Sequence, residues 1–154
     1  MDTSVANVDD ITVNREIMQQ TVKSMLKGIE TGDLVEQDCP VTHRFAPHCY
    51  LREIFMPKGA LVIGKIHKTK HFNILLTGEC TVITPDSKER IKAPYTFISE
   101  AGVQKAVAVH EDCTWQTVHI TESTDLEEIE KEVIAKDYSE LTTDGLAKKY
   151  IGVK

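Results

Sequence analysis

The sequence of 154 residues lacks any long apolar run and any excess of basic residues. No stretch approaches the ~20 apolar residues of a membrane-spanning helix, and residues 1–10 carry acids without the apolar core of a signal peptide. The formal net charge of -6 is opposite in sign to the basic surface typical of nucleic-acid-binding proteins. We therefore predict a cytoplasmic protein that binds neither membranes nor nucleic acids.

The cysteines are also few, and none of them stands in a C-x-x-C pair. This spacing argues against a zinc knuckle and against a dense disulfide framework. Buried free thiols are therefore the expectation for all of them, namely Cys39, Cys49, Cys80 and Cys113.

The length, with 41% apolar and 27% charged residues, is typical of one soluble domain in three segments. Residues 1–38 include a helix predicted at about 14–30, because apolar residues recur there with helical period between a capping Asn14 and Gly32. Its apolar stripe could pack on the domain or pair two subunits. Residues 39–121 contain short β-type runs that predict an antiparallel barrel or sandwich. These runs are 50–56, 61–67, 72–76, 80–84, 95–98, 103–109 and 114–120.

The remaining segment, residues 122–154, is predicted to hold an acidic helix and a tail. Residues 121–140 contain eight acids and two lysines. Thr124 and Glu127 predict a capping box at the start of this helix. We interpret the acids as a solvated face, with a partner surface as the alternative. The opposite, buried face is predicted to consist of Leu126, Ile129, Val133 and Ile134.

The central segment contains two histidines, His67 and His71, four residues apart between spaced glycines. Together with a later proline and glycine, they follow the order of the two sequence motifs of the cupin family, which residues 39–121 resemble. The residues that carry the likeness are Gly59, His67, His71, Gly78, Pro94 and Gly102. The likeness is greatest to small single-domain cupins often encoded by bacteriophages, through Ala93-Pro94, Phe97-Ile98-Ser99, Glu111-Asp112, Trp115 and Val118-His119.

This resemblance implies an all-β fold with flanking helices: a cupin jelly-roll β-barrel with an amphipathic helix at each end. It also implies subunits that pair as a homodimer and, for a phage protein, a location in the host cytoplasm. Cupins include oxygenases, isomerases and sugar binders, so the likeness does not select a reaction. The sequence departs from the family pattern at two histidine positions, which are occupied by Lys65 and Lys105.

Strand alternation places Lys65 and His67 on one face and Lys105 on the corresponding face of a later strand. If both faces line the barrel, these side chains and His71 converge. Two imidazoles can bind a divalent transition metal, but a stable site normally needs a third ligand. The candidates are Glu53 and His119, followed by His43, His48 and His110. A hydrogen-bonded histidine pair without metal is the competing interpretation.

The first functional hypothesis is a small-molecule or metal-binding protein with a degenerate His/Lys site. His67, His71 and Lys105 are its candidate catalytic residues, and Lys65 would orient a small anionic ligand. Its candidate metal ligands are His67, His71, Glu53 and His119. A lyase, an isomerase and an oxygenase all remain open. The alternative is a non-catalytic phage-encoded assembly or host-interaction module, which the two lysine replacements favour.

A second alternative uses two H-x-T tripeptides, at His67 to Thr69 and at His119 to Thr121. Paired motifs of this kind are similar to those of two-histidine phosphoesterases, in which one imidazole acts as a base, the other as an acid, and the threonines bind phosphate. The β-rich pattern around them lacks the βα units that such a fold would need.

Overall fold

A computed structural model of the chain describes residues 8–84 and 87–135, and the predicted tail lies outside this range. The described residues form an N-terminal helix, a β-rich centre and a second helix. These elements are α1 (Val8–Thr31), β1 (Val41–Ala46), β2 (Cys49–Met56), β3 (Leu61–Ile63), β4 (Ile66–His67), β5 (His71–Ile83), β6 (Lys88–Lys92), β7 (Tyr95–Ser99), β8 (Ala106–Ile120), α2 (Leu126–Val133) and β9 (Ile134–Ala135).

The strands pair in antiparallel fashion, and two long strands, β5 and β8, hold the sheet together. The strand order is β1-β2-β8-β5-β6, with β3 paired to β8 and β7 paired to β5. The first half of β5 pairs with β7 and its second half with β6. Strand β8 likewise pairs with β3 at its start and with β2 towards its end. The predicted all-β fold class with flanking helices is confirmed.

The sheet bends where the register of β5 against β8 becomes irregular, between Leu75 and Cys80. Gly78 lies at this bend with a φ of +91°, and a Cβ atom there would lie 2.2 Å from the carbonyl oxygen of Asp112. Only glycine permits this backbone approach. The bend turns the inner faces of both long strands towards each other around a core. The most deeply buried members of this core include Leu75, Cys80, Cys113 and Trp115.

The same bend explains where the predicted strands differ from the observed ones. The runs predicted at 72–76 and 80–84 are two halves of β5, and those at 103–109 and 114–120 fall largely within β8. Gly78 and its partner segment curve the strands without ending them. The run predicted at 61–67 is instead divided into β3 and β4. Strands β1 and β6 were not predicted: β6 is polar except for Ile91, and the residues of β1 are all exposed, including its apolar ones.

Helix α1 begins earlier than predicted, at Val8, so Asn14 lies inside the helix and does not cap it. The Asn14 side chain is buried, where it donates a hydrogen bond to the carbonyl of Gln104 and accepts one from the Gln104 amide. Met18 is also buried, whereas Val22 and Leu26 are 39% and 56% exposed. The homodimer therefore stays a prediction. Neither helix of the described ranges is long and apolar enough to cross a membrane.

Helix α2 is capped by Asp125, not by the predicted Thr124, because the Asp125 carboxylate accepts hydrogen bonds from the amides of Glu127 and Glu128. Ile129 and Val133 face inward, as predicted, and form a small core with Tyr50. The strand that follows, β9, pairs with β4. The C-terminal helix is thereby fixed across one opening of the barrel.

The neighbouring residues Leu75 and Leu76 test this arrangement of the core. Leu75 is fully buried and Leu76 is 44% exposed. We expect Leu75→Ala to lower the free energy of unfolding by about 3 kcal/mol, because it leaves a cavity in the core. Leu76→Ala should lower it by less than ~1 kcal/mol. Urea denaturation of both variants measures the difference, and equal losses would contradict the assigned register of β5.

Candidate metal centre in the barrel

Three histidines from three different strands meet inside the barrel. His71 lies on the inner face of β5 and His119 on the inner face of β8, and both are buried. His67 lies on β4, outside the main sheet, where it pairs with Ile134 of β9. Its carbonyl oxygen also accepts a hydrogen bond from the amide of Gly102. These backbone contacts fix the position of His67 opposite the other two rings.

The rings of these three residues, the three-histidine cluster, lie in contact. Their centroids are 4.1 Å apart for His67 and His71, 4.9 Å for His71 and His119, and 5.2 Å for His67 and His119. One ring nitrogen from each residue lies within 4.8 Å of the other two. This spacing allows all three to reach one ion.

Hydrogen bonding leaves one buried nitrogen of each ring without a partner: Nδ1 of His67, Nε2 of His71 and Nδ1 of His119. The Nδ1 atom of His71 lies 3.2 Å from the carbonyl oxygen of Thr69, which can only accept, so Nδ1 carries the proton and Nε2 carries a lone pair. The Nε2 atom of His119 lies 3.0 Å from the Thr117 hydroxyl, which can accept its proton and leave Nδ1 as a lone-pair donor.

The electrostatic surroundings keep the three imidazoles neutral. Burial lowers the pKa of His67 well below its ordinary value, that of His71 to about 3 and that of His119 to about 4. The nearby charges of Arg52 and Lys105 lower the pKa of His119 further. A neutral imidazole at neutral pH is the form that binds a metal.

These residues fit a divalent transition metal. A metal ion would satisfy lone pairs that are otherwise buried without partners, and three imidazole nitrogens suit zinc, iron, copper or nickel. Three protein ligands also leave coordination positions open for water or a ligand. Of the predicted metal ligands, the structure brings together His67, His71 and His119.

Glu53, the fourth predicted ligand, lies outside this cluster. It is on β2, where the residues that alternate with it, Arg52 and Ile54, line the barrel cavity. The Glu53 carboxylate accepts a hydrogen bond of 2.8 Å from Gln116 and forms an ion pair of 3.1 Å with Arg44. The prediction of Glu53 as a ligand is therefore not supported, because strand alternation directs it away from the histidines.

The two predicted lysines lie in different environments. Lys65 lines the opening of the cavity and donates a hydrogen bond of 2.6 Å to Glu130 of α2, so a carboxylate already neutralises it. Lys105 is only 9% exposed and donates a hydrogen bond of 2.5 Å to the Ser99 hydroxyl. Burial lowers the pKa of Lys105 to about 8. Lys105 is therefore the inner cation, and Lys65 belongs to the contact with α2.

The barrel encloses a cavity of about 420 Å³ beside the three-histidine cluster. Helix α2 covers it with apolar side chains, and Arg52 projects into it from β2. Arg52 was not predicted, although its alternation with the apolar Ile54 and Met56 places it on the inner face. The charged and imidazole side chains in its lining include Arg52, Lys65, Lys105, Glu130, His67 and His119.

The remaining histidines and the tryptophan have other contacts. His48 is exposed beside Glu122, and His110 lies 2.6 Å from the Thr81 hydroxyl. His43 borders the cavity but lies 2.6 Å from the hydroxyl of Tyr50. Trp115 is a core residue, as expected, and donates a hydrogen bond to Asn73.

The two H-x-T tripeptides bring their histidines together, since the rings of His67 and His119 stack in the cluster. The threonines of these tripeptides do not lie with the histidines in the cavity. The Thr121 hydroxyl donates a hydrogen bond of 2.9 Å to Glu132, and neither Thr69 nor Thr121 lines the cavity. The described strands are antiparallel and form no βα units. The site therefore lacks the phosphate-binding groups of the phosphoesterase hypothesis.

Comparisons with known proteins concern the fold only. No family model and no curated protein matches the sequence. Among solved structures, a cupin superfamily protein from Desulfitobacterium hafniense matches 56% of this chain and 81% of its own, with 12% identity and a TM-score of 0.48. The Schizosaccharomyces pombe Cnp3 cupin domain matches 64% of this chain and 74% of its own, with 19% identity and a TM-score of 0.47. KdgF from Halomonas sp. matches 57% and 85%, with 12% identity and a TM-score of 0.48.

The lowered pKa values predict how stability depends on pH. Below about pH 6.5 histidines in the unfolded chain bind protons, whereas the folded cluster stays neutral until about pH 4 or lower. The unfolded state thus binds more protons, and the free energy of unfolding falls as the pH falls through this window. We expect His119→Gln to reduce that slope by up to ~1.4 kcal/mol per pH unit, measured by urea denaturation with chelator. An unchanged slope in His119→Gln would contradict a neutral cluster.

Proposed function

We propose that the protein binds a divalent transition metal through His67, His71 and His119 and acts on a small anionic molecule in the adjacent cavity. One observation carries this proposal: three buried imidazole rings converge, and each has one ring nitrogen without a hydrogen-bond partner. Buried polar groups in native proteins normally have partners, so a convergent group without them indicates a missing ligand.

The lowered pKa values favour metal binding over acid–base catalysis by the histidines themselves. A general acid or base works best with a pKa near the operating pH. The pKa values of about 3 for His71 and about 4 for His119 are far below neutrality. We therefore propose that His67 and His71 act as metal ligands and not as the acid–base groups predicted from the sequence. Lys105, with a pKa of about 8, is the better candidate for proton transfer.

The cations around the cluster explain why the ligand should be anionic. Two unit charges about 6 Å apart in an effective dielectric of 20 repel by about 3 kcal/mol, so unpaired cations weaken metal binding. A bound anion would offset this repulsion and could occupy the open coordination positions. Arg52 and Lys105 would orient it, while Leu126 and Ile129 of α2 supply apolar lining.

When bound, the metal would polarise a coordinated oxygen atom or, if redox-active, transfer electrons. The chain's own residues hold the ion, orient the anion and shield both from water. This arrangement is compatible with the lyase, isomerase and oxygenase classes predicted from the sequence.

The second candidate is a non-catalytic assembly or host-interaction module. The observation in its favour is the exposed apolar stripe of α1, which contains Val22, Leu26 and Ile29. This stripe does not explain three buried histidines inside the barrel that each have one unpartnered ring nitrogen, so we rank the module second. The phage origin and the cytoplasmic location stay predictions.

Metal titration tests the proposed centre. We expect metal-free protein to bind one equivalent of Co²⁺ or Zn²⁺, followed by Co²⁺ absorption and by calorimetry. His67→Ala, His71→Ala and His119→Ala should each weaken binding by at least ~100-fold, more than the loss of an outer contact.

The matched controls remove residues outside the cluster. Glu53→Gln and His110→Ala should keep one equivalent and the wild-type affinity. Wild-type protein that binds no metal, with three histidine variants as stable as it is, would contradict the metal centre and place the interaction module first.

A further inference from the structure

We propose that the cavity binds a small dianion, such as an aliphatic dicarboxylate, with Arg52 holding one anionic group and Lys105 the other across the three-histidine cluster. This inference rests on the proposed function in placing the ligand in the barrel cavity. It does not require the metal, because both cations belong to the chain.

Arg52 offers an unused guanidinium group inside the cavity. In the part of the chain that the structure describes, no hydrogen bond or ion pair involves this side chain. The carboxylate near it, Glu130, is bonded to Lys65 at 2.6 Å. Arg52 lines the cavity together with His119 and Glu130, and its charge lowers the pKa of both groups. A planar guanidinium in this position suits a carboxylate with two parallel hydrogen bonds.

Lys105 offers an ammonium group that lacks an anionic partner. More than nine-tenths of its surface is buried. Among the described residues, its ammonium group donates a hydrogen bond to the neutral Ser99 hydroxyl. Buried charges in proteins are normally paired because their desolvation is costly. An anionic group of a ligand would supply the missing partner.

A hydrogen-bonded chain fixes Lys105 in place before a ligand binds. The Ser99 hydroxyl oxygen also accepts a hydrogen bond of 2.7 Å from Asn73, and Asn73 in turn accepts one of 3.2 Å from Trp115. All four side chains are buried. The ammonium group therefore needs little rearrangement to receive an anion, which favours affinity.

The strand registers associate the two cations with different members of the cluster. Arg52 of β2 pairs with Thr117 of β8, two residues before His119. Ser99 of β7, which holds Lys105, pairs with His71 of β5. Strands β8 and β5 lie between β2 and β7, so one compact anionic group would have difficulty in satisfying both cations.

The rest of the lining indicates what joins the two anionic groups. Within the described ranges, three cations and one carboxylate line the cavity. The carboxylate, Glu130, pairs with Lys65, so Arg52 and Lys105 are the two of these cations without a compensating charge. Apolar side chains line the space around them, including Ile54, Met56, Val62 and Val107. Two anionic groups on a short aliphatic chain match this pattern of charge and apolar surface.

Calorimetry with matched acids tests the inference on metal-free and metal-loaded protein. The probes are succinate, glutarate and adipate, each compared with the monocarboxylate of the same length: butyrate, pentanoate and hexanoate. We expect the best dicarboxylate to bind at least about tenfold more tightly than its monocarboxylate, because a second charged group is paired. Arg52→Gln and Lys105→Met should each reduce this preference to less than about threefold, whereas Lys58→Met, at an exposed lysine outside the cavity lining, should preserve it.

Several results would overturn the dianion site. Equal affinity for the two kinds of acid, or a preference that persists in Arg52→Gln, excludes the paired cations. Because Lys105→Met could unfold the core, Lys105→Arg serves as a second variant, and it should retain at least part of the preference. Metal binding without a dicarboxylate preference contradicts only this inference, and a preference in protein that binds no metal contradicts only the proposed metal centre.

Discussion

The burial of three imidazole rings without partners for one nitrogen each is the constraint on which the rest of the structure depends. Each unsatisfied buried group costs about 1–3 kcal/mol, and the three lie together in one place. A sequence selected for stability alone would fill this space with apolar residues, as it does around Leu75 and Trp115. The barrel instead keeps three neutral imidazoles, each with one unpartnered nitrogen, beside two cations, an arrangement that suits a ligand.

The cluster is coupled to the C-terminal helix because His67 does not belong to the main sheet. Its short strand β4 is held by β9, and the amide of Lys68 donates a hydrogen bond to the carbonyl of Val133 at the end of α2. The ion pair of Lys65 with Glu130 joins the same two segments at the cavity opening. Helix α2 therefore does two things at once: it closes the cavity, and it positions one of the three histidines.

The sequence predicted the fold class and part of the site for clear physical reasons. Short β-type runs between turn residues predict an antiparallel β fold, and the motif order around His67 and His71 predicts the cupin type. His119 remained one of several third candidates because its partners, on β4 and β5, are about fifty residues away in the sequence. Strand alternation alone could have corrected the prediction for β2. If its inner face had been assigned from Tyr50 and Ile54, Glu53 would have been excluded as a metal ligand and Arg52 would have been placed in the cavity. The Lys65 ion pair with α2 depends on tertiary contacts that no local pattern contains.

The most direct test of the central claim is the NMR measurement of imidazole ¹⁵N shifts in ¹⁵N-labelled protein, before and after one equivalent of Zn²⁺. At pH 7 the account predicts neutral rings for His67, His71 and His119 in metal-free protein, and one nitrogen of each ring shifting together on addition of Zn²⁺, while the ring of His48 does not change. Three rings that carry protons on both nitrogens at pH 7, or that do not respond to Zn²⁺, would contradict it.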